Sequence, residues 1–311
     1  SLLGILNDIL DYSKIEAGKV VLEAVPFDLE AVVQNALFMV QERVESKGLE
    51  LILDFRLAPS LGQVVGDPLR LGQVLINLLS NAVKFTEHGH VRLRVLATGG
   101  DDKTATIVFR VEDTGIGMTF EQMGRLFSEF SQADGSTTRK YGGTGLGLAI
   151  SKRLVAAMHS DLQAESSLGD GSIFHFTLQL PVIKDVAGEE RVAQPLAGRQ
   201  ALVVDDYSPA QQSMIELLAA LGCRRVDGAA DGQQALARLT AGGAAAVGYD
   251  LLVIDWALPD MTGGEVVRRL QAAGGAMPGA VIVVSACDPA ALRQEDLPPA
   301  VSDVVQKPLQ P

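Results

Sequence analysis

Between Gln200 and Gln306, short apolar runs alternate with amphipathic stretches, and the carboxylates Asp205, Asp206 and Asp255 stand at the ends of two of the runs. The pattern predicts strands at Gln200–Asp205, Arg225–Gly228, Leu251–Asp255, Ala280–Val284 and Ser302–Gln306. Helices are predicted between them at Pro209–Leu221, Gln233–Leu239, Gly264–Ala272 and around Ala290–Gln294. Parallel strands need long crossovers, so strict alternation of this kind means a parallel sheet wrapped by helices. A further covering helix is expected after the fifth strand.

That topology decides where the polar strand ends go. Ligands bind at the carboxyl edge of such a sheet, and Asp205, Asp206 and Asp255 all fall there. Three converging carboxylates repel one another unless a cation sits among them, which suggests Mg²⁺. Ser285 and Lys307 reach the same edge. A hydroxyl and an ammonium there suit the oxygens of a phosphoryl group carried on Asp255. Strand-end aspartates often just cap helices, but that explains one or two of them, not the whole ordered set. A cis peptide bond is expected before Pro308.

The rest of the chain follows a different rule. At 311 residues it has room for two domains of ordinary size. Residues 27–181 mix the two periodicities. Helices are predicted at Asp28–Ser46, Pro68–Lys84 and Leu146–His159, and strands at Leu49–Leu57, His90–Ala97, Thr104–Glu112 and Ser172–Leu180. Residues 2–15 show helical spacing with one broad apolar stripe, stopped by Gly18. Residues 182–198 lose all periodicity and read as a linker. The expected divisions are therefore 1–20, 23–181, 182–198 and 199–311. A net charge of −12 repels phosphate backbones, so nucleic acid is not an expected partner. No apolar run is long enough to span a bilayer, and the opening residues are not expected to form a signal peptide. The two cysteines, Cys223 and Cys287, lack metal spacing and are expected to be buried thiols.

Four segments of residues 27–181 carry chemistry. Asn77, Asn81 and Lys84 recur at i, i+4 and i+7 of a predicted helix, so they share a face. Two amides and an ammonium suit a magnesium-bound polyphosphate, although a solvated polar face would look the same. Asp113-Thr-Gly115-Ile-Gly117 follows a strand, where a carboxylate can accept from an exocyclic amine and the glycines let backbone approach a ring. A capped surface turn is the plainer reading. Tyr141-Gly-Gly143-Thr144-Gly145-Leu146-Gly147 opens a helix, whose free N–H groups attract anions. It fits neither a Walker loop nor a full dinucleotide fingerprint. Gly169-Asp-Gly171-Ser is a turn that a simple hairpin would also explain.

Together these segments resemble the N, G1, F, G2 and G3 boxes of histidine-kinase catalytic domains, within the family that includes gyrase, Hsp90 and MutL. Phe127 and Phe130 match the F box. The resemblance covers residues 23–181 and implies an α/β-sandwich ATPase domain binding ATP and Mg²⁺. It implies that Asn81 holds Mg²⁺, that Lys84 contacts phosphate and that Asp113, with Gly115 and Gly117, receives adenine. Arg139 and Lys140 would lie in a lid over the phosphates, closed by Gly143, Thr144, Gly145, Leu146 and Gly147. The hydrolase branch carries a glutamate where this chain has Asn77. An amide cannot take a proton from water, which argues for phosphotransfer over hydrolysis.

The opening residues resemble the end of a dimerisation and phosphoacceptor hairpin. The acceptor histidine is then expected on a helix before residue 1, and His88, His90, His159 and His175 are expected to be structural or surface groups. Residues 199–311 resemble a response-regulator receiver with a flavodoxin-like doubly wound (βα)5 fold. By that resemblance Asp255 is the phosphoacceptor, Asp205 and Asp206 hold the receiver's Mg²⁺, and Ser285 and Lys307 are switch residues. Val304 stands where the family has an aromatic switch residue.

The whole implies a hybrid protein-histidine kinase of two-component signalling. It would be a cytoplasmic homodimer, with a histidine phosphotransfer protein or a response regulator as partner and membrane contact only through other segments. The alternative is a receiver that acts as a non-catalytic docking or inhibitory module on the kinase core.

Overall fold

A computed structural model describes residues 21–57, 63–101, 103–127, 145–183, 195–240, 248–286, 292 and 297–308. Residues 1–20 and the predicted helix around Ala290–Gln294, apart from Leu292, lie outside the described residues, as does Cys287. The chain divides into two compact units, Ser1–Val192 and Ala193–Pro311.

In the first unit the elements run β1 (Val25–Phe27), α1 (Leu29–Lys47), β2 (Glu50–Arg56), β3 (Gln63–Gly66), α2 (Pro68–Phe85), β4 (His90–Gly100) and β5 (Thr104–Asp113). They continue with α3 (Phe120–Arg125), α4 (Gly147–Ala157), β6 (Gln163–Ser167) and β7 (Gly171–Ile183). The strands form one mixed sheet in the order β1-β3-β7-β5-β4-β2, with β6 added to β7. Period-2 alternation sends Val91, Leu93 and Val95 of β4 and Ile107, Phe109 and Val111 of β5 to one buried face. Phe174, Phe176 and Leu178 of β7 join them, and the Phe109 and Phe176 rings stack at 4.9 Å. The same core takes Leu71, Leu75, Leu78 and Leu79 of α2 and Ile150 and Leu154 of α4.

Helix α2 starts where its sequence says it should. Asp67 is the N-cap and accepts from Arg70 N at 3.0 Å, and Pro68 occupies the first turn, where its missing N–H does no harm. Helix α1 is capped by Asp28 and ends at Gly48, whose φ of 63° is the left-handed stop that glycine provides.

β1, β3, β6 and α3 are additions to the elements expected from sequence. β1 is three residues long and β6, Gln-Ala-Glu-Ser-Ser, is a polar edge strand with no apolar run. α3 buries none of its residues, so periodicity has nothing to detect. Its signal was the capping box, in which Thr119 and Gln122 exchange hydrogen bonds.

In the second unit β8 (Gln200–Val204), α5 (Ser208–Ala220), β9 (Arg225–Ala229), α6 (Gly232–Thr240), β10 (Leu251–Asp255), α7 (Gly263–Ala272), β11 (Ala280–Ser285) and β12 (Asp303–Gln306) follow in turn. The sheet is wholly parallel, ordered β12-β11-β10-β8-β9. β10 is central and buried along its whole length, as its run Leu-Leu-Val-Ile requires. Cys223 corrects an expectation: it is only partly buried, though burial still pushes its thiol up.

Candidate functional site

Two polar sites form, one in each unit. In the first, Asn77 and Asn81 sit a turn apart on α2, and Asn81 Nδ2 donates to Asn77 Oδ1 at 3.4 Å. Asn77 Nδ2 in turn donates to Ser151 Oγ at 2.8 Å, and Ser151 on α4 is 2% exposed. Gly147 opens α4 directly against this amide, and a Cβ there would run into Asn77 Oδ1. A side chain there would have to displace the Asn77 amide from its bond to Ser151, and the φ of Gly147 is not in the left-handed region. Lys84 lies in the last turn of α2 with Nζ 4.8 Å from the Phe85 ring centroid. Burial holds its ammonium below the usual lysine range.

Asp113 is the last inward position of β5, continuing the alternation of Phe109 and Val111, and so its carboxyl is placed on the core face with 8% exposure. Gly115 N donates to its Oδ1 at 2.9 Å. Burial raises this carboxyl from 3.8 to about 6, while backbone N–H bonds from Gly115 and Ser172 oppose the rise. The loop after it is pinned to both neighbours. Ile116 N donates to the Phe85 carbonyl at 3.3 Å, and Gly169 N donates to the Ile116 carbonyl at 2.8 Å. Gly117 has φ 62°, and Gly171, at φ 93°, would drive a Cβ into the Asp113 carbonyl.

Thus the Asp113 loop, the end of α2 and the Gly169–Gly171 turn meet at one place, and Asn77 ties the same helix to α4. Gly145 has φ 71° and Leu146 is buried in the core. Phe127 packs on the core under Lys152 Nζ, 4.7 Å from its ring centroid. Arg139, Lys140, Gly143, Thr144 and Phe130 lie outside the described residues. Of the histidines, His88 and His159 are exposed, His175 Nε2 is 3.4 Å from Glu165 Oε1, and burial lowers His90.

In the second unit, register carries Asp205, Asp255, Ser285 and Lys307 to one edge. Val204 pairs with Ile254, Asp255 with Val284, and Ser285 with Gln306. Carboxylate oxygens of Asp205, Asp206 and Asp255 all lie within 4.8 Å of one another. Three hard oxygen donors at that spacing fit a divalent cation that keeps several waters, as Mg²⁺ does. Lys307 Nζ stands 2.8 Å from Asp205 Oδ2 and 2.7 Å from Asp255 Oδ2. The other oxygens are held by backbone, Asp205 Oδ1 by Tyr207 N at 2.8 Å and Asp255 Oδ1 by Ala257 N at 3.2 Å. Burial pushes Asp205 upward, with Lys307 pulling the other way and Asp255 adding to the rise.

Ser285 is buried, and its carbonyl accepts from Lys307 N at 2.8 Å. The Lys307–Pro308 bond is cis. Val304 turns inward and is buried in the core beside Val283 and Leu292.

Two further residues, outside the expectations from sequence, organise these sites. Ser151 falls one turn after Gly147, a spacing that puts it on the same stripe of α4. Gln211 on α5 donates both amide protons, to the Asp205 carbonyl at 2.9 Å and the Ala229 carbonyl at 2.8 Å. Nothing in its sequence surroundings marks it.

Comparison with known proteins separates the chain at the same place. Residues 66–182 match the histidine kinase-, DNA gyrase B- and HSP90-like ATPase family, and residues 201–311 match the response regulator receiver domain. The sensor histidine kinase GacS of Pseudomonas protegens is 44% identical over 69% of this chain and 23% of its own length. The signal transduction histidine-protein kinase BarA of Escherichia coli K12 is 39% identical over 70% of this chain and 24% of its own. The autoinducer 2 sensor kinase/phosphatase LuxQ of Vibrio harveyi is 35% identical over 87% of this chain and 32% of its own. The chain thus spans about a quarter of the length of the first two of these curated relatives. The crystal structure of full-length ShkA with AMPPNP shares the fold, with a TM-score of 0.51 at 24% identity over 99% of this chain and 86% of that one. Among the described residues, no helix is long and apolar enough to cross a membrane.

Proposed function

We propose, on the premise that this chain belongs through residues 66–182 to the histidine kinase-, DNA gyrase B- and HSP90-like ATPases and through residues 201–311 to the response regulator receivers, that it carries the ATP site and the aspartate acceptor of a hybrid histidine kinase. The observation that carries the reading is that both pockets assemble on one chain, around Asp113 in one unit and Asp255 in the other.

In the first pocket the Asp113 carboxylate would accept from the exocyclic amine of adenine, with Gly115 and Gly117 allowing the ring to lie against backbone. Lys84 would neutralise phosphate oxygens, and Asn81 would offer an amide oxygen to Mg²⁺. Gly145, Leu146 and Gly147 would line the phosphate side, with Arg139, Lys140, Gly143 and Thr144 completing it. Bound Mg²⁺ would supply charge neutralisation along the polyphosphate. Asn77 gives its amide to Ser151 and has no basic lone pair, so it cannot take a proton from water. The γ-phosphoryl group is left for a histidine nucleophile.

In the second pocket the Asp255 carboxylate would attack the phosphorus of a phosphohistidine. An O–P bond forms as the N–P bond breaks, and imidazole leaves. Asp205 and Asp206 would hold Mg²⁺ against the incoming oxygens, while Lys307 and Ser285 would take up the remaining negative charge. The acyl phosphate would then pass to a histidine phosphotransfer protein or a response regulator. The reading also makes the protein a dimer working in the cytoplasm, where ATP is. The alternative, a receiver that only docks on the kinase core, draws its support from Val304 alone. The convergence of Asp205, Asp206, Asp255 and Lys307 favours phosphorylation.

Adding beryllofluoride with Mg²⁺ tests the receiver half, because Trp256, the sole tryptophan, follows Asp255 directly. A change in its fluorescence, absent in Asp255→Asn, supports the acceptor role. No change in the unsubstituted chain removes it.

A further inference from the structure

The carbonyls that close α2 are taken one by one, and a single side chain takes three of them. The Ala82 carbonyl accepts from Thr86 Oγ1 at 2.7 Å and from Thr86 N at 3.1 Å, and the Phe85 carbonyl accepts from Ile116 N. Lys47 Nζ donates to the carbonyls of Val83 at 2.7 Å, Lys84 at 3.0 Å and Thr86 at 2.9 Å. An ammonium has three protons, and all three are used. Lys47 can do this because it is the last residue of α1, immediately before the Gly48 stop.

A helix end of this kind carries about half a negative charge on its outward carbonyls. The last turns of α2 also carry Asn81 and Lys84, which the reading above assigns to the polyphosphate. A nucleotide with several phosphates placed there meets a pole of its own sign. We propose that Lys47 is the counter-charge to that pole: it makes the site tolerate and prefer nucleotides with more phosphates, without touching the nucleotide. This rests on the nucleotide reading of the first pocket. Its role differs from that of an ordinary cap, because a cap would support all ligands of the pocket equally, whereas a counter-charge acts in proportion to ligand charge.

Calorimetric titration of the full chain with Mg-ATP, Mg-ADP and adenosine separates the two. Lys47→Met should weaken Mg-ATP roughly three- to ten-fold, Mg-ADP by less, and adenosine by under about two-fold. Lys47→Arg should retain the preference. The loss should shrink as salt is raised from about 50 mM to about 500 mM, since screening lengths shorten over that range. Lys47→Gln keeps two donors and loses the charge, so it tests the charge even if Lys47→Met does not fold. Unchanged Mg-ATP affinity in the neutral variants, or equal loss for adenosine and Mg-ATP, overturns the proposal. Failure of the unsubstituted chain to bind any of the three instead sinks the nucleotide reading, and this proposal with it.

Discussion

Lys307 Nζ lies 2.7 Å from Asp255 Oδ2, and the same ammonium reaches Asp205 Oδ2 at 2.8 Å, so one cation bridges the proposed acceptor to a proposed metal ligand. Both carboxylates are largely buried, which makes their mutual repulsion costly without it. A divalent cation at this edge therefore competes with Lys307 for the same oxygens. Lys307→Met should tighten Mg²⁺ binding several-fold, read as a titration of Trp256 fluorescence. It should also lower the stability of the metal-free second unit by about 3–5 kcal/mol, since two buried charges lose their partner. Weaker Mg²⁺ binding in that variant would mean that Lys307 organises the site and does not compete for it.

Asp113 sets up a conflict between stability and binding. Its carboxyl is raised from 3.8 to about 6, so the folded state holds this proton more tightly than the unfolded one. The stabilising contribution is full below pH about 4 and is lost as pH rises through about 6. Asp113→Asn should therefore be more stable than the unsubstituted chain above that range, by up to about 2–3 kcal/mol, and the gap should close at pH 4. The same variant should lose nucleotide affinity. Thermal melts at pH 4 and pH 8, with and without Mg-ATP, check both halves. In the unsubstituted chain, affinity should fall as pH drops below about 6, because the neutral carboxyl is a poorer acceptor for the adenine amine.

Gly147 shows how a glycine can matter without unusual dihedrals. A Cβ there meets Asn77 Oδ1, whose amide is already committed to Ser151. Gly147→Ala should destabilise the first unit by about 1–3 kcal/mol by pushing the Asn77 amide off Ser151. The combination with Asn77→Ala should recover part of the loss. Urea unfolding followed by far-ultraviolet dichroism of the two variants measures it.

Gln211 makes a matching prediction in the second unit. Gln211→Met keeps the shape but takes this donor from the Asp205 carbonyl and leaves the Ala229 carbonyl with Asp205 N alone, at about 1–2 kcal/mol. Trp256 fluorescence during urea unfolding reports on this unit alone, being the sole tryptophan. An unshifted midpoint would show that water replaces the amide without penalty.

The sequence was most legible where one period governed a whole element. The parallel sheet was readable because apolar runs and helical stretches alternate, and β10 has four successive apolar residues. Asn77, Asn81 and Lys84 were readable because a helix of known phase places them on one face. Legibility failed where burial is partial: β6 has Ala164 as its one apolar residue, and α3 buries nothing. It failed also where a long-range partner gives a residue its role. Lys47, Ser151 and Gln211 look like ordinary helix residues, and only the approach of another element's carbonyl or amide distinguishes them. Arg139, Lys140, Gly143 and Thr144 stay where the sequence alone left them.

As proposed, the two pockets are the donor and the final acceptor of one relay. Its most direct measurement joins this chain to a hairpin bearing a phosphoacceptor histidine and supplies γ-labelled Mg-ATP. Two pools of label should appear, one alkali-stable and acid-labile on histidine, and one hydroxylamine-labile on aspartate, with Asp255→Asn abolishing only the second. Label that never appears, or a hydroxylamine-labile pool unchanged in Asp255→Asn, would contradict it.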